Sequence, residues 1–265
     1  MNREPMDALI FIDTNILLNF YQYPGKGADM KGPDLPLLAK IDENRKLIIT
    51  SSEVEMEYKK NRQRVIRDFI QNIDTVNWER LRPPAFISAS KAAVTSERYR
   101  LQLMAQTEKL KDRALAMLKN PVKNDPVYQV LQRLFRFRGP YNLYRIREER
   151  HQLRDLAWRR FILGYPPRKH GDLSIGDAIN WEWLIMCGQQ SRKDVIIVSR
   201  DSDFGRHDVI NDWLAQEFRE RVGRTRNVYL TGMLSQAFSM SAIKVSREEA
   251  EKEEEMIRTI GGQAS

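Results

Sequence analysis

The apolar and polar positions divide the chain into short apolar runs and long stretches of helical period. ALIFI at residues 8–12 and LIIT at 47–50 are too short and too rich in strand-forming residues to read first as helices, so each predicts a buried strand. DVIIV at 194–198 is the clearest strand, bounded by Asp194 and by Ser199-Arg200-Asp201, and NVYL at 227–230 predicts another. Helix signals lie between them. Ser52 with Glu55 three residues on has capping-box spacing and starts a helix near residue 53 that runs through EMEYKKNRQRVIRDFIQNI. Ser174 and Asp177 repeat that spacing at the head of SIGDAINWEWLIMCGQQ, and a further helix is expected at about 207–221. Alternating strands and helices predict an α/β fold, with a central mostly parallel sheet covered by helices on both faces.

From about 91 to 163 the apolar period stays near 3.6, which predicts long helices broken at NPVKNDP and RGP. The Gly- and Pro-rich YPGKGADMKGPDLP is expected to be a mobile loop, and GYPPRKHGDLS a more rigid one. The expected organisation is one α/β domain over residues 1–240, with an inserted helical subdomain at about 91–165, followed by an acidic helical or disordered tail at 241–265. That tail holds six glutamates between Arg247 and Arg258 and reads as a solvated helix or frayed end; a tail that binds a partner or masks the insert is the alternative.

Charge changes the picture because of where it falls. The formal net charge is +8, yet residues 91–169 hold 19 Lys or Arg against 7 Asp or Glu, leaving the rest of the chain net acidic. A basic insert favours a polyanionic partner. A single cysteine, Cys187, excludes a disulfide framework and a Cys-rich zinc site, and three scattered histidines make a His-based cluster a poor expectation. A bound metal would need oxygen ligands. No apolar run approaches the roughly 20 residues that span a bilayer, and MNREPMDAL lacks the layout of a signal peptide, so the expectation is a cytoplasmic protein without membrane contact.

The first apolar run ends in Asp13-Thr14-Asn15, where burial alone has no use for a carboxylate. Ligands of open α/β sheets bind beyond the carboxyl ends of the strands. Asp13 is at such an end, as are Asp201 and Asp203; Glu57 lies one turn into the helix after LIIT, and Asp177 in the first turn of its own helix. Five acids from four segments can thus share one rim. Crowded carboxylates resist ionisation, and Mg²⁺ or Mn²⁺ relieves that cost while keeping sites for water and phosphate oxygens. Two such ions roughly 4 Å apart support hydrolysis of a phosphodiester.

FIDTNILLNFY, SSEVEMEYKKNR, GDAINWEWLI and VIIVSRDSDFG, in this order, resemble the PIN domains, specifically those with a helical insertion between the halves of the site. The resemblance covers roughly residues 8–70 and 171–232, while residues 91–165 match nothing as specifically. It implies a metal-dependent endonuclease, usually acting on RNA, with Asp13, Glu57, Asp177 and Asp201 as Mg²⁺- or Mn²⁺-binding catalytic acids and Asp203 as a helper. Glu57 is preferred because it precedes Asn61-Arg62 at the family's spacing; Glu53, four residues earlier on the same helical face, stays open as the ligand.

Other residues carry two readings each. Thr14 and Asn15 either orient Asp13 or cap the next helix. Arg62 either grips a phosphate or is an ordinary surface arginine. Arg133, Arg136 and Arg138, alternating with Phe135 and Phe137, either touch nucleic acid or form a solvated face over core aromatics. Trp181 and Trp183 read as core.

RNA is the expected partner, with DNA as the alternative; an inhibitor or activator protein and a homo-oligomer also stay open. A toxin or defence role rests on family analogy alone. The rivals are a flap-type DNA nuclease, whose helix-hairpin-helix segment is not apparent, and an inactive nucleic-acid-binding scaffold. A haloacid dehalogenase-type phosphatase would want an Asp where Asn15 stands. A topoisomerase-primase type site would leave Asp13 without a purpose.

Overall fold

The computed structural model describes residues 6–21, 35–167 and 174–261. The Gly- and Pro-rich segment at 22–34 and the middle of the 164–174 loop lie outside the described residues. Four strands follow the apolar runs: β1 (Ala8–Ile12), β2 (Ile48–Ser51), β4 (Asp194–Val198) and β7 (Val228–Thr231), with β3 (Asn142–Leu143) added at the edge. The order is β3-β2-β1-β4-β7 and every pairing is parallel. All five residues of β1 are buried, as a strand in the middle of a parallel sheet requires. The expected α/β class with a central parallel sheet and flanking helices holds.

The helices are α1 (Thr14–Leu18), α2 (Leu35–Glu43), α3 (Ser52–Asp74), α4 (Lys91–Lys119), α5 (Pro121–Asn124), α6 (Pro126–Arg136), α7 (Glu149–Leu163), α8 (Gly176–Ser191), α9 (Asp212–Val222), α10 (Leu234–Met240) and α11 (Arg247–Gly261). The long helices break at NPVKNDP, where Pro121 and Pro126 each open a new helix, as proline tolerates only the first turn.

Two compact units emerge: one is residues 61–129, the other residues 1–60 with 130–265. The smaller unit buries Ile66, Ala93, Ala114 and Val127 around an internal ion pair, Arg62 with Asp125. Helix α7 belongs to the sheet-bearing unit, where it packs on α8, and α8 packs on β2 and β4. Trp181 and Trp183 are fully buried there. A network of Arg160, Glu182, Glu217 and Arg221 ties α7, α8 and α9 together.

Three local expectations shift. Helix α3 is capped by Ser51, whose hydroxyl accepts from the Val54 N–H at 3.1 Å, while Ser52 donates to Glu53 at 2.6 Å. Helix α9 begins at Asp212 rather than near 207, because β5 (Gly205–Arg206) and β6 (Val209–Ile210) form a hairpin with His207 and Asp208 at positive φ. A Cβ on Gly205 would come within 2.0 Å of the Val209 carbonyl, so the turn requires glycine. The acidic tail is docked: Glu253 is buried and accepts from the first N–H groups of α10, at Leu234 (2.6 Å) and Ser235 (2.8 Å).

Candidate active site

The carboxyl edge of the sheet collects the acids through chain direction. β1 ends at Ile12 and the next residue, Asp13, starts α1 without an intervening turn, its carboxylate capping the Thr14 N–H at 2.6 Å. β2 likewise runs straight into α3, which puts Glu57 one turn beyond the same edge. The Thr14 hydroxyl donates to Glu57 Oε2 at 3.1 Å, holding the two segments in register. α8 runs back from the carboxyl edge to enter β4, so Asp177 in its first turn starts at that edge. One turn further along α8, Asn180 accepts from the Ser51 hydroxyl at 2.7 Å, which anchors this end of the helix to the end of β2.

β4 delivers Asp201. The register that pairs Ile12 with Val198 sets Asp13 beside Ser199, and the Asp13 N–H donates to the Val198 carbonyl at 3.0 Å. The Ser199 hydroxyl donates to Asp13 Oδ2 at 2.5 Å and accepts from the Asp201 N–H at 3.0 Å. Asn15 Nδ2 donates to the same Asp13 oxygen at 2.8 Å. Asp13 itself is the N-cap of α1, and the Thr14 N–H and the Asn15 side chain orient its carboxylate. Sequence reasoning missed Ser199. The parallel alignment of ALIFI with DVIIV carries the signal, because extending it by one residue pairs Asp13 with Ser199.

Burial pushes the Asp13 carboxyl up from its ordinary 3.8 to about 6. The Ser199 hydroxyl and the Thr14 N–H pull it back down, and the charges of Glu57 and Asp201 add to the rise. Asp13, Glu57 and Asp201 are thus one electrostatic group. Asp177 and Asp203 reach the same edge by the course of their segments, Asp203 being half-buried beside Phe204, whose ring packs edge-on against Phe11. Glu53 is turned to another task, an ion pair with Arg150 at 2.9 Å.

Among the described residues, no three Asp, Glu, His or Cys side chains are gathered into a ready cation cage. The donor set nevertheless fits a hard cation. It is all oxygen, and its central member is buried among like charges that a cation would neutralise.

Arg62 is corrected by the structure. It is buried, with Nε on Asp125 Oδ2 at 2.7 Å and Nη2 on the Met117 carbonyl at 2.9 Å, so its guanidinium is committed inside the smaller unit rather than offered to a phosphate. The arginine strip is divided too. Phe135 is core, 5.7 Å from the Tyr58 ring, and Arg133 pairs with Asp42 at 2.7 Å, while Arg136 and Arg138 are exposed.

The PIN domain family model matches residues 10–204, most of the chain. The chain belongs to the PIN domain family. PIN domains are generally nucleases and typically use divalent metals. No curated protein and no solved structure matches this chain. Among the described residues, no helix of this PIN domain is long and apolar enough to cross a membrane.

Proposed function

We propose that this PIN domain is a Mg²⁺- or Mn²⁺-dependent endoribonuclease that hydrolyses phosphodiester bonds with water. The observation that carries the reading is Asp13: a buried carboxylate at the sheet's carboxyl edge, raised to about 6 and facing Glu57 and Asp201. A group held in that state stabilises the fold poorly and binds a cation well. Asp13, Glu57, Asp177 and Asp201 would hold the metal, with Asp203 assisting. When bound, the metal supplies positive charge that acidifies water and neutralises the phosphate in the transition state.

The chain's own residues contribute orientation. Ser199, Asn15 and the Thr14 N–H fix both oxygens of Asp13, so little reorganisation is left to the moment of reaction. The Thr14 hydroxyl, donating to Glu57 Oε2, would orient that carboxylate toward the cation. RNA is favoured over DNA by the family resemblance, and the excess of Lys and Arg over residues 91–169 supplies sequence-independent affinity. A cytoplasmic location and a toxin or defence role restrained by a protein partner fit such an enzyme.

The test is cleavage of end-labelled tRNA, other structured RNA, single-stranded DNA and duplex DNA with Mn²⁺ or EDTA. The expected result is Mn²⁺-dependent RNA cutting that is lost in Asp13→Asn and Asp177→Asn. Cutting of DNA alone would install the DNA nuclease in its place, and tight RNA binding without any cutting would favour the scaffold.

A further inference from the structure

A second feature of the carboxyl edge lies two strands from Asp13, where β3 ends. Tyr144, the residue after β3, carries the Arg138 guanidinium on its ring at 4.0 Å from the centroid. Arg138, Tyr144, Ile146 and Arg147, together with the carboxylates Glu148 and Glu149, line an open cleft of about 530 Å³. Its floor is rigid. Arg147 donates to the Pro140 carbonyl at 2.7 Å and to Glu149 Oε2 at 3.2 Å, and lies 4.9 Å over the Trp183 ring. Its mouth is apolar with charges of both signs: Ile146 is 80% exposed, Arg138 and Glu148 are exposed with it, and among the described residues Arg138 is the cation there that has no carboxylate against it in the way Arg147 has Glu149.

The cleft and the acids share one frame. Leu143 pairs with Ser51, which caps the helix that carries Glu57. Arg150, at the head of α7, pairs with Glu53 one turn before Glu57. Two strand spacings separate β3 from β1, roughly 10 Å, a span that a nucleotide or two of extended strand covers. An aromatic ring backed by a guanidinium, beside an exposed aliphatic side chain, suits an unstacked base, and the guanidinium suits its phosphate. A duplex presents no free base face to such a cleft.

We infer that the Arg138–Tyr144 cleft binds an unpaired nucleotide of the RNA, next to the bond presented to the acids, and so selects single-stranded segments. This rests on the endoribonuclease reading for the identity of the polymer. Tyr144 and Arg138 supply the stacking surface, Ile146 and Pro140 the apolar wall, and Arg147 the fixed floor.

The experiment is fluorescence anisotropy of a labelled single-stranded RNA, a blunt duplex RNA and a single-stranded DNA of the same sequence, in EDTA so that nothing is cut. Wild type is compared with Tyr144→Ala, Tyr144→Phe and Arg138→Gln, with circular dichroism as the check on folding. The expected result is about 5- to 150-fold weaker binding of single-stranded RNA by Tyr144→Ala, near-wild-type binding by Tyr144→Phe, and duplex binding within about twofold throughout. Arg138→Gln, an exposed change, weakens the single strand as well and carries the test if Tyr144→Ala does not fold. Single-strand binding equal to wild type in the folded variants, equal losses on single strand and duplex, or no single-strand binding by wild type would overturn the subsite. Tighter Tyr144-dependent binding of the DNA would overturn the RNA assignment. Because binding is read without metal, Tyr144-dependent binding by a protein that cuts no RNA upholds the cleft while the catalytic reading falls.

Discussion

Replacing Asp13 by Asn changes one atom and removes one titration, which makes it the sharpest probe of the acid rim. In the folded protein the Asp13 carboxyl is raised to about 6 from an ordinary 3.8, first by burial, then by the charges of Glu57 and Asp201. At about 1.36 kcal/mol for each tenfold change in proton affinity, that gap corresponds to roughly 3 kcal/mol. The sign follows from linkage. The folded state holds the proton more tightly, so the group stabilises the fold fully below about pH 4 and loses that contribution as pH rises through about 6. The amide introduced by Asp13→Asn has no such dependence and keeps an oxygen for the Thr14 N–H. Urea unfolding in EDTA from pH 4 to 8 should therefore show the wild type falling relative to Asp13→Asn by about 3 kcal/mol, with most of the change below pH 7. Excess Mn²⁺ at pH 7.5 should restore stability to the wild type and not to the variant. Parallel curves for the two proteins across that range would refute the claim that Asp13 is buried among like charges.

Other perturbations separate orientation, ligation and packing. Ser199→Ala removes the hydroxyl that pulls Asp13 down, so the acid limb of the pH–rate profile should move to higher pH, with a stability loss at pH 8 of about 1.5–3 kcal/mol; an unmoved limb would deny Ser199 its role. Glu57→Gln should abolish Mn²⁺-dependent cleavage while Glu53→Gln leaves it within a few-fold, since Glu53 is engaged by Arg150; the reverse order would exchange the two glutamates. Arg62→Ala strips the fully buried Asp125 of its guanidinium and should cost about 3–5 kcal/mol in urea unfolding. A stable Arg62→Ala protein with weakened RNA binding would return Arg62 to the phosphate.

The sheet was legible where burial on both faces writes a continuous apolar run, as in ALIFI and DVIIV. Asn142 and Leu143 carry no such mark. They become a strand only because β2 offers an open edge, with Asn142 Nδ2 held by the Phe135 and Phe137 carbonyls. Asp13, Glu57 and Asp201 were readable because each acid stands at or just past a strand end, where local sequence fixes position. Arg62 was not, since its partner Asp125 lies 63 residues away and nothing local announces the pairing. Glu253 is hidden for the opposite reason: it stands among five other glutamates, and only docking on α10 singles it out.

Whether the carboxyl edge holds a divalent cation on Asp13 and its neighbours is tested by calorimetric titration of the metal-free protein with Mn²⁺. Run in buffers of different ionisation enthalpy, the titration also counts protons. Binding should release about half a proton at pH 6 and almost none at pH 8, because burial raises the Asp13 carboxyl to about 6, and it should be lost in Asp13→Asn. Mn²⁺ binding of equal strength in Asp13→Asn, or none by the wild type at pH 8, would contradict a cation site on Asp13.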